Sequence, residues 1–346
     1  MKILIVGPSW VGDMVMSQSL YITLKDKYPD AQIDVLAPAW CKPILERMPE
    51  ISEAIEMPVG HGSFNLKERW RIGRSLKNRG YDHAYILPNS AKSALIPLFA
   101  GIKVRTGWKG ETRYGLLNDL RPDKRVFQFM VERYVALAYS RNSMKGEVSI
   151  NRSCPFPKLE QDPASQKSTI EKLGLSRQQQ VVGLCPGAEF GPAKRWPETK
   201  YAEVAKYVIS KGGHIWMFGS QKDHEVTEGI RNLLPASHRE HCYNLAGKTS
   251  LNEAVDLLAA CDTVISNDSG LMHVSAAVGT EVIAIYGSSS PDYTPPLTRK
   301  LHIIHTDIDC RPCFKRTCPL KHQNCLTQLD SSLVISKLEP SFNKGL

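Results

Sequence analysis

Short runs of β-branched and aliphatic residues alternate along the chain with stretches of helical periodicity, and the alternation occurs twice. In the first half Lys2 to Val6, Gln32 to Leu36, Ala54 to Met57, Tyr81 to Leu87 and Val104 to Gly107 predict strands, with helices such as Met14 to Lys27 and Leu66 to Arg79 between them. Cys154-Pro-Phe-Pro through Asp162-Pro-Ala-Ser165, rich in proline and without periodicity, predicts a linker. After it Val181 to Leu184, His214 to Phe218, Tyr243 to Leu245, Thr263 to Ser266 and Val282 to Ile285 predict a second set of strands, the segment Tyr201 to Ser210 forming one of the helices among them. The pattern predicts an α/β chain of two Rossmann-like domains, 1–160 and 161–346, facing each other across a cleft, and the length of 346 residues suits two such domains.

Three strand ends carry candidate chemistry. Thr263-Val-Ile-Ser-Asn-Asp-Ser-Gly-Leu-Met-His273 runs from a strand through a polar corner into a helix. Ser269 and Gly270 can start that helix without bulk, leaving its first N–H groups for an anion, with His273 one turn in as a further donor. The alternative is an ordinary capped helix with a core-facing histidine. Val181 to Pro197 runs from a strand into a Gly- and Pro-rich loop that would let backbone approach a ligand, with Lys194 and Arg195 beside it as cations that either meet the ligand or are solvated. Trp196-Pro197 reads as the rigid entry to the next helix. In a parallel sheet both loops lie at the carboxyl edge, where such sheets bind ligands. The third turn, Gly7-Pro-Ser-Trp-Val-Gly-Asp-Met14, is neither a P-loop nor a G-x-G-x-x-G sequence. Its Asp13 can serve as a general base or as a carboxylate near a helix dipole's positive end.

Charge is uneven. Between His61 and Arg133 stand 6 Lys and 9 Arg against 6 acidic residues, and the remainder holds 29 basic and 29 acidic, so the whole formal net charge of +9 sits in one stretch. That stretch suits a polyanionic partner or an anionic membrane surface, or is a solvated face that aids solubility. No nucleic-acid motif accompanies it. The N-terminal Met-Lys-Ile-Leu-Ile-Val-Gly-Pro has too short an apolar run for a signal peptide, and Ala94 to Ile102, the best membrane candidate, is broken by Pro97 and Gly101. Nine scattered cysteines predict reduced thiols in the cytosol. Four of them, Cys310, Cys313, Cys318 and Cys325, follow C-x2-C-x4-C-x6-C spacing and could ligate zinc, with His322 as a substitute ligand; a loop of reduced thiols or an adventitious disulfide is the alternative.

At these motifs the chain resembles the ADP-heptose:lipopolysaccharide heptosyltransferases of glycosyltransferase family 9, especially the type that attaches the second heptose. The matching segments are Gly7 to Met14, Ala37-Pro-Ala-Trp-Cys41, Gly60-His-Gly62, Leu87-Pro-Asn-Ser90, Arg105-Thr-Gly-Trp108, Arg113-Tyr-Gly-Leu-Leu-Asn-Asp119, Val131-Glu-Arg-Tyr134, Cys185 to Pro197, Asn267 to His273 and Tyr286-Gly-Ser-Ser-Ser-Pro291. The resemblance implies a GT-B fold, inversion at the sugar's anomeric carbon, no required metal, ADP-heptose as donor and heptosyl-Kdo2-lipid A as acceptor. It implies an acceptor-binding N-terminal domain and a donor-binding C-terminal domain that carries the cysteine-rich segment 310–325 and a final helix. Residue by residue, it implies that Asp13 is the base and Lys194 the donor-phosphate cation, and that Asp268, Ser269, Gly270 and His273 hold the diphosphate and neighbouring sugar. Gly187, Ala188 and Glu189 take the phosphate-loop positions. Glu225 or Asp223 would bind the ribose, and Thr249 would line the adenine pocket. The basic stretch, with Arg69, Arg71, Lys103, Arg105 and Arg113, would meet the acceptor's phosphates and acidic sugars. A cytoplasmic enzyme at the inner-membrane face follows, with no nucleic acid as partner. Heptosyltransferase I, another GT-B sugar transferase and a basic zinc-bearing nucleic-acid binder are the alternatives.

Overall fold

The computed structural model describes residues 1–60, 62–141 and 148–342. The chain divides into two compact units, Met1–Lys158 and Leu159–Leu346. His61 of Gly60-His-Gly62 lies outside the described residues.

The first unit holds six parallel strands, β1 Lys2–Val6, β2 Gln32–Ala37, β3 Glu53–Glu56, β4 His83–Ile86, β5 Val104–Trp108 and β6 Asp119–Arg121, in the order β3-β2-β1-β4-β5-β6. β1 is central because nothing in Ile3-Leu-Ile-Val6 needs water, and each of these residues is at most 2% exposed. The second unit repeats the topology with β7 Val181–Cys185, β8 His214–Met217, β9 Cys242–Asn244, β10 Thr263–Asn267, β11 Glu281–Ile285 and β12 Leu301–Ile304, in the order β12-β11-β10-β7-β8-β9. Both sheets therefore reverse direction next to their first strand, between β1 and β4 and between β7 and β10, and ligands bind beyond the carboxyl ends of strands at such a reversal. The register sets Ser266 opposite Cys185, which brings the corner after β10 beside the loop after β7.

Two edge strands, β6 and β12, carry little periodic signal and were not predicted. The predicted linker is half correct. Residues 154–162 form no regular element, but Asp162-Pro-Ala-Ser165 is a helix start. The Asp162 carboxylate accepts the N–H groups of Ala164 and Ser165 at 3.0 Å each and Pro163 opens the helix Pro163–Lys172, so composition alone mistook a cap for a loop. Among the described residues no helix is long and apolar enough to cross a membrane.

Candidate donor and catalytic sites

In the second unit the side chains at the two strand ends meet. Lys194 Nζ lies 2.5 Å from Asp268 Oδ2, with the lysine side chain 17% and the aspartate 5% exposed. Asp268 sits one residue before Ser269, the N-cap of the helix Gly270–Ala277. The Ser269 hydroxyl does not cap that helix; it pairs with Ser266 Oγ at 3.1 Å, so no side-chain cap competes for the helix's first N–H groups. His273 is buried one turn on, and burial pulls its imidazole down to about 4, with Asp268 opposing and Lys194 adding to the shift. It is neutral at neutral pH, a polar contact rather than a cation.

Asn267, fully buried, is the residue that joins these loops, and its role was not foreseen. Its Oδ1 accepts Trp196 N–H and the Tyr201 hydroxyl at 3.1 Å each, and its Nδ2 donates to the Pro186 carbonyl at 2.7 Å. One side chain thus ties the end of β10, the loop after β7 and the helix Glu198–Ser210 together. Asn267→Ala leaves these buried groups without their partner, at about 1–3 kcal/mol for each orphaned group. A clear fall in melting temperature is expected, together with weaker ADP binding; an unchanged melting temperature would remove the brace.

The other predicted donor residues lie in the loops and helix starts after β7, β8 and β9. Ala188 is buried, and Gly187 has no room for a side chain, since a Cβ there would lie 2.5 Å from Asp223 Oδ1. Asp223 faces inward and accepts Ser220 N–H and Oγ–H at 2.9 and 2.8 Å. Glu225, exposed on the first turn of the helix His224–Asn232, is the carboxylate that faces solvent. Glu189 is exposed and pairs with Lys222 at 3.0 Å. Thr249 is half-buried in the turn before the helix Leu251–Ala260. Glu225 and Thr249 follow β8 and β9, so all the named donor residues stand at carboxyl strand ends.

The cysteine-rich segment supports the donor loop. The Arg316 carbonyl accepts Ala193 N–H at 3.1 Å, and a side chain at Gly191, whose φ is 154°, would strike that carbonyl. The Arg316 guanidinium and Lys194 Nζ lie 5.4 and 5.0 Å from the Phe190 ring centre. Arg311 donates to the Gly287 and Ser289 carbonyls. Cys310, Cys313, Cys318 and Cys325 line one small cavity with His322 and Ser288, and all nine cysteines are free thiols. Among the described residues no group of three His, Cys, Asp or Glu side chains is set to hold a metal.

In the first unit Asp13 lies in the first turn of the helix Val11–Lys27, directly after the β1 turn. A Cβ at Gly7 would meet Met14 Cε at 2.9 Å, so glycine lets this helix pack closely on the strand end. Tyr134 donates its hydroxyl to Asp13 Oδ1 at 3.4 Å, a contact across 121 residues that local pattern could not reveal. Cys41, buried near Asp13, has its thiol pushed up to about 12 by burial and then by the carboxylate.

The five cations expected on a basic acceptor face do not all lie on the surface: Arg69 and Arg113 are buried, Arg105 is partly exposed, and only Arg71 and Lys103 are fully so. Arg69 is 5% exposed and donates to the Phe64, Lys92 and Ser63 carbonyls. Arg105 donates to the Leu116 and Ile102 carbonyls. Arg113 is 1% exposed, donates to the Pro88 and Trp108 carbonyls, and has its guanidinium drawn down to about 10 by burial. These three arginines are spent on holding loops. Arg71 and Lys103 are exposed.

The sequence model of glycosyltransferase family 9, described as heptosyltransferase, matches residues 69–324. The chain belongs to that family. Lipopolysaccharide heptosyltransferase 2 of Escherichia coli K12 is 54% identical to this glycosyltransferase over 305 residues, 88% of each chain. Lipooligosaccharide heptosyltransferase 2 of Haemophilus influenzae Rd is 55% identical over 308 residues, again 88% of each. The solved structure of E. coli ADP-heptose lps heptosyltransferase II matches the heptosyltransferase chain at a TM-score of 0.89 and 47% identity, covering 100% of this chain and 99% of the other. The fold is therefore the GT-B class of that structure.

Proposed function

We propose that this family 9 enzyme transfers heptose, with inversion, from ADP-heptose to the first heptose of the lipopolysaccharide inner core, heptosyl-Kdo2-lipid A, working as a cytoplasmic protein at the inner-membrane face. The observation that carries the choice of acceptor is the 54% identity to a named heptosyltransferase 2 over 88% of each chain.

The acceptor hydroxyl oxygen attacks the anomeric carbon. As the new C–O bond forms, the bond from that carbon to the β-phosphate oxygen breaks and its electron pair leaves with ADP. The hydroxyl proton passes to Asp13. Lys194 and the N–H groups at the start of the helix Gly270–Ala277 stabilise the negative charge growing on the diphosphate, a task a metal ion performs elsewhere. The backbone of Gly187 and Ala188 cradles the phosphates, Asp268 orients Lys194, and the neutral His273 lies behind them. Glu225 binds the ribose, since Asp223 is already bonded to Ser220. Thr249 borders the adenine, and Lys103, together with Arg71, which also pairs with Glu68 at 3.0 Å, meets acidic groups of the acceptor.

The test is to supply ADP-heptose with acyl-free cores carrying no, one or two heptoses, with and without a metal chelator. Extension of the one-heptose core alone, with release of ADP and no effect of the chelator, is expected. Extension of the core without heptose would reassign the acceptor to that of the sister type, and failure on all three would overturn the reading.

A further inference from the structure

The helix Leu66–Leu76 buries Arg69, Ile72, Gly73 and Leu76, the i, i+3, i+4, i+7 stripe of a helix packed on its neighbour. Contact there is close: a Cβ on Gly73 would fall 2.4 Å from that of Phe99. Beside that stripe the helix carries large apolar groups in full view, with Leu66 47% and Trp70 53% exposed, and Phe64 in the preceding loop is 58% exposed. Leu66 and Trp70 stand one turn apart, and Lys67 and Arg74 flank Trp70 three residues before and four after it, so apolar and cationic groups share one side. Lys77 extends the row in the turn that follows. The one carboxylate on this helix, Glu68, is taken up by Arg71 at 3.0 Å, which leaves Lys67, Arg74 and Lys77 as net positive charge.

The buried Arg69 explains how Phe64 is presented. It donates to the carbonyls of Phe64 and Ser63 at 2.7 and 3.1 Å, and Asn65 caps the helix by accepting Glu68 N–H at 3.3 Å. A loop this firmly pinned holds a phenyl ring outward beside Trp70. Exposed aromatic side chains ringed by lysine and arginine match the interface of an anionic bilayer, where rings sit among headgroups and cations meet lipid phosphates.

We propose that Phe64, Leu66 and Trp70, with Lys67, Arg74 and Lys77, form the surface by which the enzyme docks on a bilayer of anionic phospholipid. The proposal deepens the membrane-face reading above and is independent of the transfer chemistry. The test uses the full chain and vesicles of phosphatidylcholine alone or mixed with phosphatidylglycerol, with sedimentation as the readout and turnover measured separately on a water-soluble acyl-free acceptor. The wild type should favour the mixed vesicles and lose that preference at high salt. Phe64→Ser with Trp70→Ser, and separately Lys67→Glu with Arg74→Glu, should each weaken binding to the mixed vesicles by about tenfold or more at unchanged melting temperature and unchanged soluble turnover. Wild-type binding in both variants would overturn the surface while leaving membrane association intact. Failure of the wild type to bind either vesicle would overturn both, without touching the transferase reading. A parallel loss of soluble turnover would reassign the face to the acceptor sugars and also overturn the proposal.

Discussion

Asp13→Asn is expected to lower kcat by about 10²–10⁴, the range for removal of a general base, with little change in ADP affinity. Asparagine keeps the shape of the side chain and an oxygen for the Tyr134 hydroxyl, so the turn and the helix Val11–Lys27 should persist. What disappears is the capacity to take a proton. As a carboxylate in a first helical turn Asp13 contributes only about 0.3–1 kcal/mol through the dipole, so the melting temperature should move little while turnover collapses. Tyr134→Phe should cause a smaller fall, because that hydroxyl orients the carboxylate without accepting the proton. Single-turnover rates with ADP calorimetry separate the cases, and near-wild-type turnover in Asp13→Asn would reduce the residue to a helix-stabilising carboxylate.

Lys194→Ala should produce the second large effect, in two measurements at once. ADP affinity should drop by about 10- to 10²-fold, because a charge-assisted contact worth about 1.5–3 kcal/mol is lost. The remaining Asp268 carboxylate would then repel the diphosphate. Stability should also fall, since removing one partner of a buried pair leaves an uncompensated charge at a cost of about 3–5 kcal/mol, and the 17% exposure of the lysine side chain argues for the lower end. Adding Asp268→Asn removes that stranded charge. The double variant should regain most of its melting temperature while ADP affinity stays low. Recovery of ADP affinity in the double variant would mean that Lys194 serves only to neutralise Asp268.

Most of the framework was legible because its signals are local. Short segments rich in β-branched and aliphatic residues, separated by helical periodicity, mark β1, β2, β7, β10 and β11 without knowledge of their partners. Turn chemistry located the functional loops for the same reason: glycine and proline after β1 and β7, and Asp268-Ser-Gly270 after β10, are written in consecutive residues. Once those strands are parallel, their carboxyl ends must share an edge, and the approach of Lys194 to Asp268 across 74 residues follows from topology.

What local pattern could not determine is which polar side chains face water. Arg69, Arg105 and Arg113 have the same composition and spacing as Arg71 and Lys103, yet three of these five cations are spent on backbone carbonyls. Their acceptor carbonyls lie both nearby in the chain, Phe64 and Ser63 for Arg69 and Ile102 for Arg105, and farther off, Lys92 for Arg69 and Pro88 for Arg113, and which of them lacks a backbone partner is set by how the loops pack. The Tyr134 contact to Asp13, the Asn267 brace and the grip of Arg316 on the donor loop depend likewise on segments far apart in the chain. The sequence by itself determined two strand–helix halves and the loops that leave their inner strands, because periodicity and turn propensity act over a few residues. Tertiary structure alone decided which charges remain available to a ligand or a membrane and which are spent holding the site together, because burial is a property of what packs against a residue and not of the residue itself.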